Sequence, residues 1–460
     1  MFYMAKEYGA GMTGKIRIAM VCHFSNPKIR EAVKWSRRKP GGDTAIWNTL
    51  LIEEFEKRDD VELHVIAPMY HMRGMTQKFL LGKTRYYFYN PGVPVLNISW
   101  IHLGHLDARS NYWWARHCVQ KWIRGINPDI VNLIGAENPH YSASILGLKG
   151  YPVFVSMQSV YSNPDRFKLV EEDKLRSKFE RRVIAENKYF GVNAPFMPDL
   201  IKRDAKDAIC MWNRFPTPGG DRRSGEVKRG GVEEFVSGGV CEWRSGGVPK
   251  EYDFVQFSGM TELKGAPDTI KATAIVKKEF PAVKVRMMGG IFPDFHAEMN
   301  GLIKDLGVGG NVTLTGGYAK HADLMTEAAK ARFYILPTKV DTIPTTIFEA
   351  THLGMPVVSY KTGDIPKLNT GDERVLLAER FNVEGLARQM MRLLREPSLG
   401  AELNRKAREF TDKYFSNEAN IEQHIAICRA VIDNYRNGTP IPEALMYDGY
   451  LERKLKVGEL

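Results

Sequence analysis

The chain has 460 residues, of which 43% are hydrophobic and 26% charged. Those fractions belong to a globular protein and exclude wholesale disorder, while the length exceeds one ordinary core and predicts two domains. The formal charge is +11, and the five cysteines (Cys22, Cys118, Cys210, Cys241, Cys428) never form a CxxC pair, which argues for reduced thiols and against a disulfide frame or a zinc site.

The chain opens Met-Phe-Tyr-Met-Ala-Lys-Glu, with no basic segment leading into an apolar one, so the expected location is the cytoplasm. No apolar run approaches the ~18 residues needed to span a bilayer. Ile16 to Cys22 reads as a short buried strand, followed by the loop His23-Phe24-Ser25-Asn26-Pro27. Lys28, Arg30, Lys34, Arg37, Arg38 and Lys39 then stand against the lone Glu31. Such a stretch is a solvated basic face or binds an anion: nucleic acid, anionic lipid or a phosphorylated small molecule. Without a zinc finger, an RNP-type aromatic motif or a basic-region heptad, nucleic acid is the weakest of these and is not expected as a partner.

Gly41-Gly42 precedes a stretch, Thr44 to Lys57, with Ile46, Leu50, Leu51 and Phe55 at helical spacing. Val61 to Pro68 is again a strand, completing a βαβ unit whose crossover implies a parallel sheet. Asp129 to Gly135 and Val153 to Met157 continue the pattern, so residues 1–200 are expected to form one doubly wound α/β domain.

Between 215 and 249 paired glycines recur, and Arg229-Gly-Gly-Val232, Ser237-Gly-Gly-Val240 and Ser245-Gly-Gly-Val248 repeat at an eight-residue step. This composition predicts a flexible linker or a disordered insertion. A second α/β domain is expected over 251–425, with strands at 254–257, 283–288, 312–314, 333–336 and 356–360. A helix near Asn417 to Tyr435 and a tail, 426–460, are expected to return to the first domain.

Chemistry concentrates between Leu336 and Leu368. A buried strand ends at Pro337, a polar loop carries Asp341, and a helix begins near Thr345 that buries Ile347 and Phe348. Thr342 or Thr345 can cap that helix. Its first turn, Thr345, Thr346 and Ile347, is then an anion site suited to a diphosphate. Asp341 and Glu349, eight residues apart, can each accept hydrogen bonds from hydroxyls at opposite ends of one ligand, as a nucleotide sugar would offer.

The run Asp341, Glu349-Ala350, Gly354-Met355-Pro356-Val357-Val358 and Gly363-Asp364-Ile365-Pro366 resembles the retaining GT-B glycosyltransferases of family 4. That resemblance implies two Rossmann-like doubly wound domains facing across a cleft, with Glu349 holding the ribose and Asp341 reaching the transferred sugar. Ser258 to Gly265 is similar to the family segment in which a Gly-Arg pair precedes Lys-Gly and two cations flank the diphosphate. Lys264 matches, but Gly259 or Met260 stands where the arginine belongs. In the first domain Gly41 and Gly42 correspond to the glycine pair that brings backbone N–H groups to phosphate or sugar. Glu137 matches a catalytic position and Gln158 a substrate-binding one, whereas Asn132 and Ile134 replace the family histidines, with His23 and His140 as substitutes.

The implied function is transfer of a sugar from a nucleoside diphosphate sugar to a glycan or lipid-linked glycan, as in polysaccharide biosynthesis, with an anionic membrane surface as a further partner. The sequence contains no Asp-x-Asp, so no metal and no cofactor beyond the donor substrate is expected. Two alternatives stay open: a nucleotide-sugar epimerase or hydrolase of the same fold, and a non-catalytic nucleotide-sugar-binding protein.

Overall fold

The computed structural model describes residues 14–34, 45–91, 108–164, 171–216, 248–318 and 321–447, together with three short strands between 226 and 244. The chain divides into two compact units, one from residues 1–216 and 417–460 and the other from 217–416.

In chain order the first unit contains β1 (Ile16–Val21), α1 (Pro27–Ala32), α2 (Ile46–Glu56), β2 (Val61–Pro68), β3 (Thr76–Leu81), β4 (Thr84–Tyr89) and α3 (Trp113–Ile126). It continues with β5 (Ile130–Ile134), α4 (Pro139–Ser142), β6 (Val153–Ser156), α5 (Glu171–Ala185), β7 (Tyr189–Val192), α6 (Met197–Asp204) and β8 (Ile209–Trp212). The strands form one sheet in the order β3-β4-β2-β1-β5-β6-β7-β8. All neighbours run parallel except the hairpin β3–β4. The central strands β1 and β5 are almost wholly buried, as expected of parallel strands covered on both faces. The hairpin lacks that signature, because β3 is a largely exposed edge strand.

The second unit opens with β9 (Glu226–Arg229), β10 (Val232–Ser237) and β11 (Val240–Arg244), an antiparallel three-stranded sheet. These three strands lie within 215–249, where a flexible linker or disordered insertion is expected. Then follow β12 (Tyr252–Phe257), α7 (Ala266–Val276), β13 (Val285–Met288), α8 (Pro293–Asp305), β14 (Val312–Thr315), α9 (His321–Ala328) and β15 (Ala331–Leu336). α10 (Thr345–His352), β16 (Val357–Tyr360), β17 (Leu376–Ala378), α11 (Val383–Arg395) and α12 (Pro397–Tyr414) complete the unit. Its sheet is wholly parallel, in the order β14-β13-β12-β15-β16-β17. Counted from β12 this is the order 3-2-1-4-5-6 of a doubly wound dinucleotide-binding sheet.

The last helix, α13 (Asn417–Asn437), returns to the first unit, where Ile421, Ile425, Cys428, Val431 and Ile432 join the core of β1 and β2. Two expected boundaries therefore move. The first domain extends past 200 because β8 pairs β7, and the second ends at Ser416 rather than 425 because the whole of α13 packs with the first unit. Each unit is an α/β layer structure with a mostly parallel sheet, as expected of two Rossmann-like domains. Among the described residues no helix is long and apolar enough to cross a membrane.

Candidate active site

In an open parallel sheet, ligands bind beyond the carboxyl ends of the strands where the order reverses. In the second unit that point lies between β12 and β15. The loop after β12 carries Lys264 and the loop after β15 carries Asp341, and the Lys264 ammonium donates to Oδ2 of Asp341. Asp341 accepts two further bonds, from Thr338 Oγ1 at 3.1 Å and from the Thr342 N–H at 3.0 Å. The carboxylate is thus held on both oxygens in a largely buried position.

The Lys264 backbone is fixed as well. Its N–H donates to Thr261 Oγ1 at 3.2 Å, and its carbonyl accepts from Gln256 Nε2 at 3.0 Å. Thr269 on α7 donates to the other end of that amide at 2.7 Å, so β12, the loop and the helix share one bond chain. Gly265 caps α7 with φ +73°, and a Cβ there would lie 2.1 Å from the Pro337 carbonyl oxygen. Only glycine lets the two loops approach so closely.

The helix that follows Asp341 begins at Thr345 with Pro344 at its cap and no capping side chain, so the cap expected from Thr342 or Thr345 does not form. Proline takes the place because its fixed φ suits a helix entrance and it has no N–H to satisfy. Ile347 is buried and its N–H donates to the Pro344 carbonyl at 3.0 Å. Thr346 Oγ1 accepts from the Tyr334 hydroxyl at 2.7 Å. Burial pushes that hydroxyl's pKa well up; the bond to Thr346 opposes the shift, and the nearby Glu349 and Asp341 carboxylates add to it. Both acids therefore act on one tyrosine. Glu349 is buried on α10, with its Oε1 3.3 Å from Nε2 of His321 at the start of α9.

Met260 is 1% exposed, so the side chain near the family arginine's place belongs to the core. Gly259 faces open space.

In the first unit the order reverses between β1 and β5, and His23 and Glu137 follow those strands. Glu137 is half-buried with its carboxylate beside Gly135 and the Tyr141 hydroxyl, since both would lie 2.7 Å from a Cβ at Gly135. The His23 ring stacks on Tyr141 at 6.3 Å, and burial lowers its pKa. Gln158 is half-buried in the loop after β6. His140 presents its carbonyl to the Tyr89 hydroxyl at 2.7 Å and its ring to Tyr70 and Tyr112. Gly41 and Gly42 lie outside the described residues. Asn132 is wholly buried, bonded to the Phe154 carbonyl, Ser156 and His424, and so serves the core.

Thr338, Lys339 and His321 were not singled out in the sequence. Thr338 and Lys339 lie within the acid-bearing loop but resemble ordinary loop residues, and His321 reaches Glu349 from a separate element 28 positions earlier.

A lysine, two carboxylates and a helix entrance thus meet at the switch point of a doubly wound sheet, where open α/β sheets bind their ligands. Residues 243–410 match the family described as glycosyl transferases group 1. The chain is 24% identical over 184 residues to N-acetyl-alpha-D-glucosaminyl L-malate synthase of Bacillus anthracis, covering 40% of this chain and 47% of that one. It is 25% identical over 255 residues to D-inositol 3-phosphate glycosyltransferase of Saccharomonospora viridis, covering 53% and 56%. The chain thus spans about half the length of these curated relatives. Among solved structures, sucrose-phosphate synthase of Thermosynechococcus elongatus superposes with a TM-score of 0.65 at 15% identity, over 90% of this chain and 98% of that one. TarM gives 0.59 at 13% identity, over 90% and 99%. Both likenesses concern the fold.

Proposed function

We propose that this chain is a retaining glycosyltransferase of family 4 that moves a sugar from a nucleoside diphosphate sugar to a glycan or lipid-linked glycan. The observation that carries the reading is the Lys264–Asp341 pair at the β12/β15 switch point, with Glu349 on the next helix. In this reading Glu349 accepts the ribose hydroxyls, Asp341 reaches the sugar, and Lys264 faces the diphosphate. The bond from the anomeric carbon to the diphosphate oxygen breaks with its electron pair on that oxygen. The new bond forms to an acceptor hydroxyl, whose proton passes to the departing diphosphate oxygen. Charge grows on the leaving diphosphate, and a cation already aimed there stabilises the transition state more than the ground state. A relative solved with UDP, HepE of Anabaena, has the same fold with a TM-score of 0.54 at 15% identity, which makes a uracil nucleotide the first donor to try. The reaction is proposed to need no metal.

The test is a thermal-shift screen of UDP, GDP, ADP and their sugars, followed by NMR of donor consumption with and without EDTA. A nucleotide that raises the melting temperature, with a donor then converted to an α-linked product in EDTA, supports the reading. No shift with any of the three at millimolar levels removes it. The buried Met260 favours a second reading, a non-catalytic nucleotide-sugar-binding protein, because one of the two family cations is absent. Tight binding without turnover of any donor identifies it.

A further inference from the structure

We propose that Lys339 is a positioning residue for Lys264, acting through the loop that joins β12 to α7; the inference rests on the donor-site reading above. Lys339 is 5% exposed, two residues before Asp341. Its ammonium lies 2.6 Å from Glu262 Oε1 and 3.1 Å from Asp268 Oδ1, and 5.9 Å from the Phe381 ring centroid. Asp268, in the first turn of α7, accepts at its other oxygen from the Tyr360 hydroxyl at 3.0 Å. The Lys339 N–H donates to the Leu263 carbonyl at 2.7 Å.

Glu262 and Leu263 are therefore tied to Lys339, and Lys264 to Asp341. A buried ion pair is a poor source of net stability, since desolvation offsets the attraction, and its use here lies in fixing one arrangement. The charges make that arrangement matter. Lys264 and Lys339 stand against Glu262, Asp268 and Asp341, and Arg380 donates to the Lys339 carbonyl at 3.4 Å. Lys339 engages two of the three. Without it, Glu262 and Asp268, two and four residues from Lys264, would lose that cation and would draw the Lys264 ammonium away from Asp341.

A double-mutant cycle reads this coupling. Calorimetry with whichever of UDP, GDP and ADP binds is run on wild type, Lys264→Ala, Lys339→Met and the double variant. Lys339→Met is expected to weaken binding roughly tenfold with Lys264 present and less than about twofold in Lys264→Ala. Equal losses in both backgrounds mean that Lys339 touches the nucleotide itself or acts through general stability, and overturn the inference; so does no loss in either. If Lys339→Met does not fold, Glu262→Gln, which leaves Lys339 paired with Asp268, passes through the same cycle with the same expectation. If wild type binds none of the three nucleotides, the donor-site reading fails. The positioning role is then judged by the acetylation rate of the Lys264 amine in intact protein. It is expected to fall at least about twofold in Lys339→Met, because the released Glu262 and Asp268 hold the amine protonated, and an unchanged or raised rate overturns the inference.

Discussion

His424 Nε2 lies 2.9 Å from Asn132 Oδ1, and that bond joins the last helix to the central strand β5 inside the first unit. The Asn132 amide nitrogen donates to the Phe154 carbonyl, so its oxygen faces His424 and the ring must donate from Nε2. The imidazole is wholly buried and meets Phe55 and Phe154 edge-on.

Burial depresses the His424 pKa from 6.5 to about 3. The unfolded chain therefore binds more protons than the folded one between those values, and the contribution is complete above 6.5 and lost as pH falls toward 3. A pH of 5.5 should already cost roughly 1 kcal/mol relative to pH 7.5 from this group. His23 and His64, also lowered by burial, act with the same sign. His424→Gln keeps a donor for Asn132 and should flatten the pH dependence of the urea midpoint; an unchanged slope would assign it elsewhere.

Lys264→Ala should lower kcat by roughly 10²–10³-fold at saturating donor, the loss typical of one preorganised electrostatic donor. Glu349→Ala should instead weaken the nucleotide itself. Single-turnover rates equal to wild type for Lys264→Ala would take this cation away from the leaving group, and unchanged calorimetric affinity for Glu349→Ala would take that acid away from the ribose.

Gly265→Ala should destabilise the second unit by about 2 kcal/mol or more, combining a left-handed φ with a Cβ inside contact distance of the Pro337 carbonyl. Chemical denaturation measures it. A loss under half a kilocalorie would mean that the β12 and β15 loops separate without cost.

The basic stretch is proposed to meet an anionic bilayer, each Lys or Arg contributing ~1 kcal/mol near the surface. Lys28, Arg30 and Lys34 are described, with Arg30 donating to Ser25 Oγ at 3.1 Å, while Arg37, Arg38 and Lys39 lie outside the described residues. Sedimentation with liposomes of anionic lipid at low salt should exceed that with neutral liposomes. Equal, negligible binding leaves a solvated face.

The parallel strands were legible because they are continuous buried runs: Ile16–Val21 and Val61–Pro68 fall within a residue of their expected ends. The edge hairpin β3–β4 was not, since an exposed strand has no such run. Lys264 was legible through the resemblance of its Lys-Gly pair to the family segment, and the approach of Pro337 explains why a glycine follows it. Lys339 was not, because a lysine's burial depends on Glu262 and Asp268, whose proximity the sequence spacing hides. Asn132 occupies a place where the resemblance leads one to look for a ligand-facing histidine, yet its partner is 292 residues away on α13. The strands between 226 and 244 were hidden by composition, because their glycine-rich surroundings read as a linker.

The first unit is assembled from both ends of the chain, and this sets an order on its synthesis. A ribosome releases β1 to β8 first, then the entire second unit, and only afterwards α13. Until Ile421 to Ile432 emerge, the sheet of the first unit has an open apolar face and His424 is absent from beside Asn132. Exposed faces of this kind are where nascent chains aggregate or recruit chaperones. The second unit is contiguous and is complete while the first still waits for its last helix.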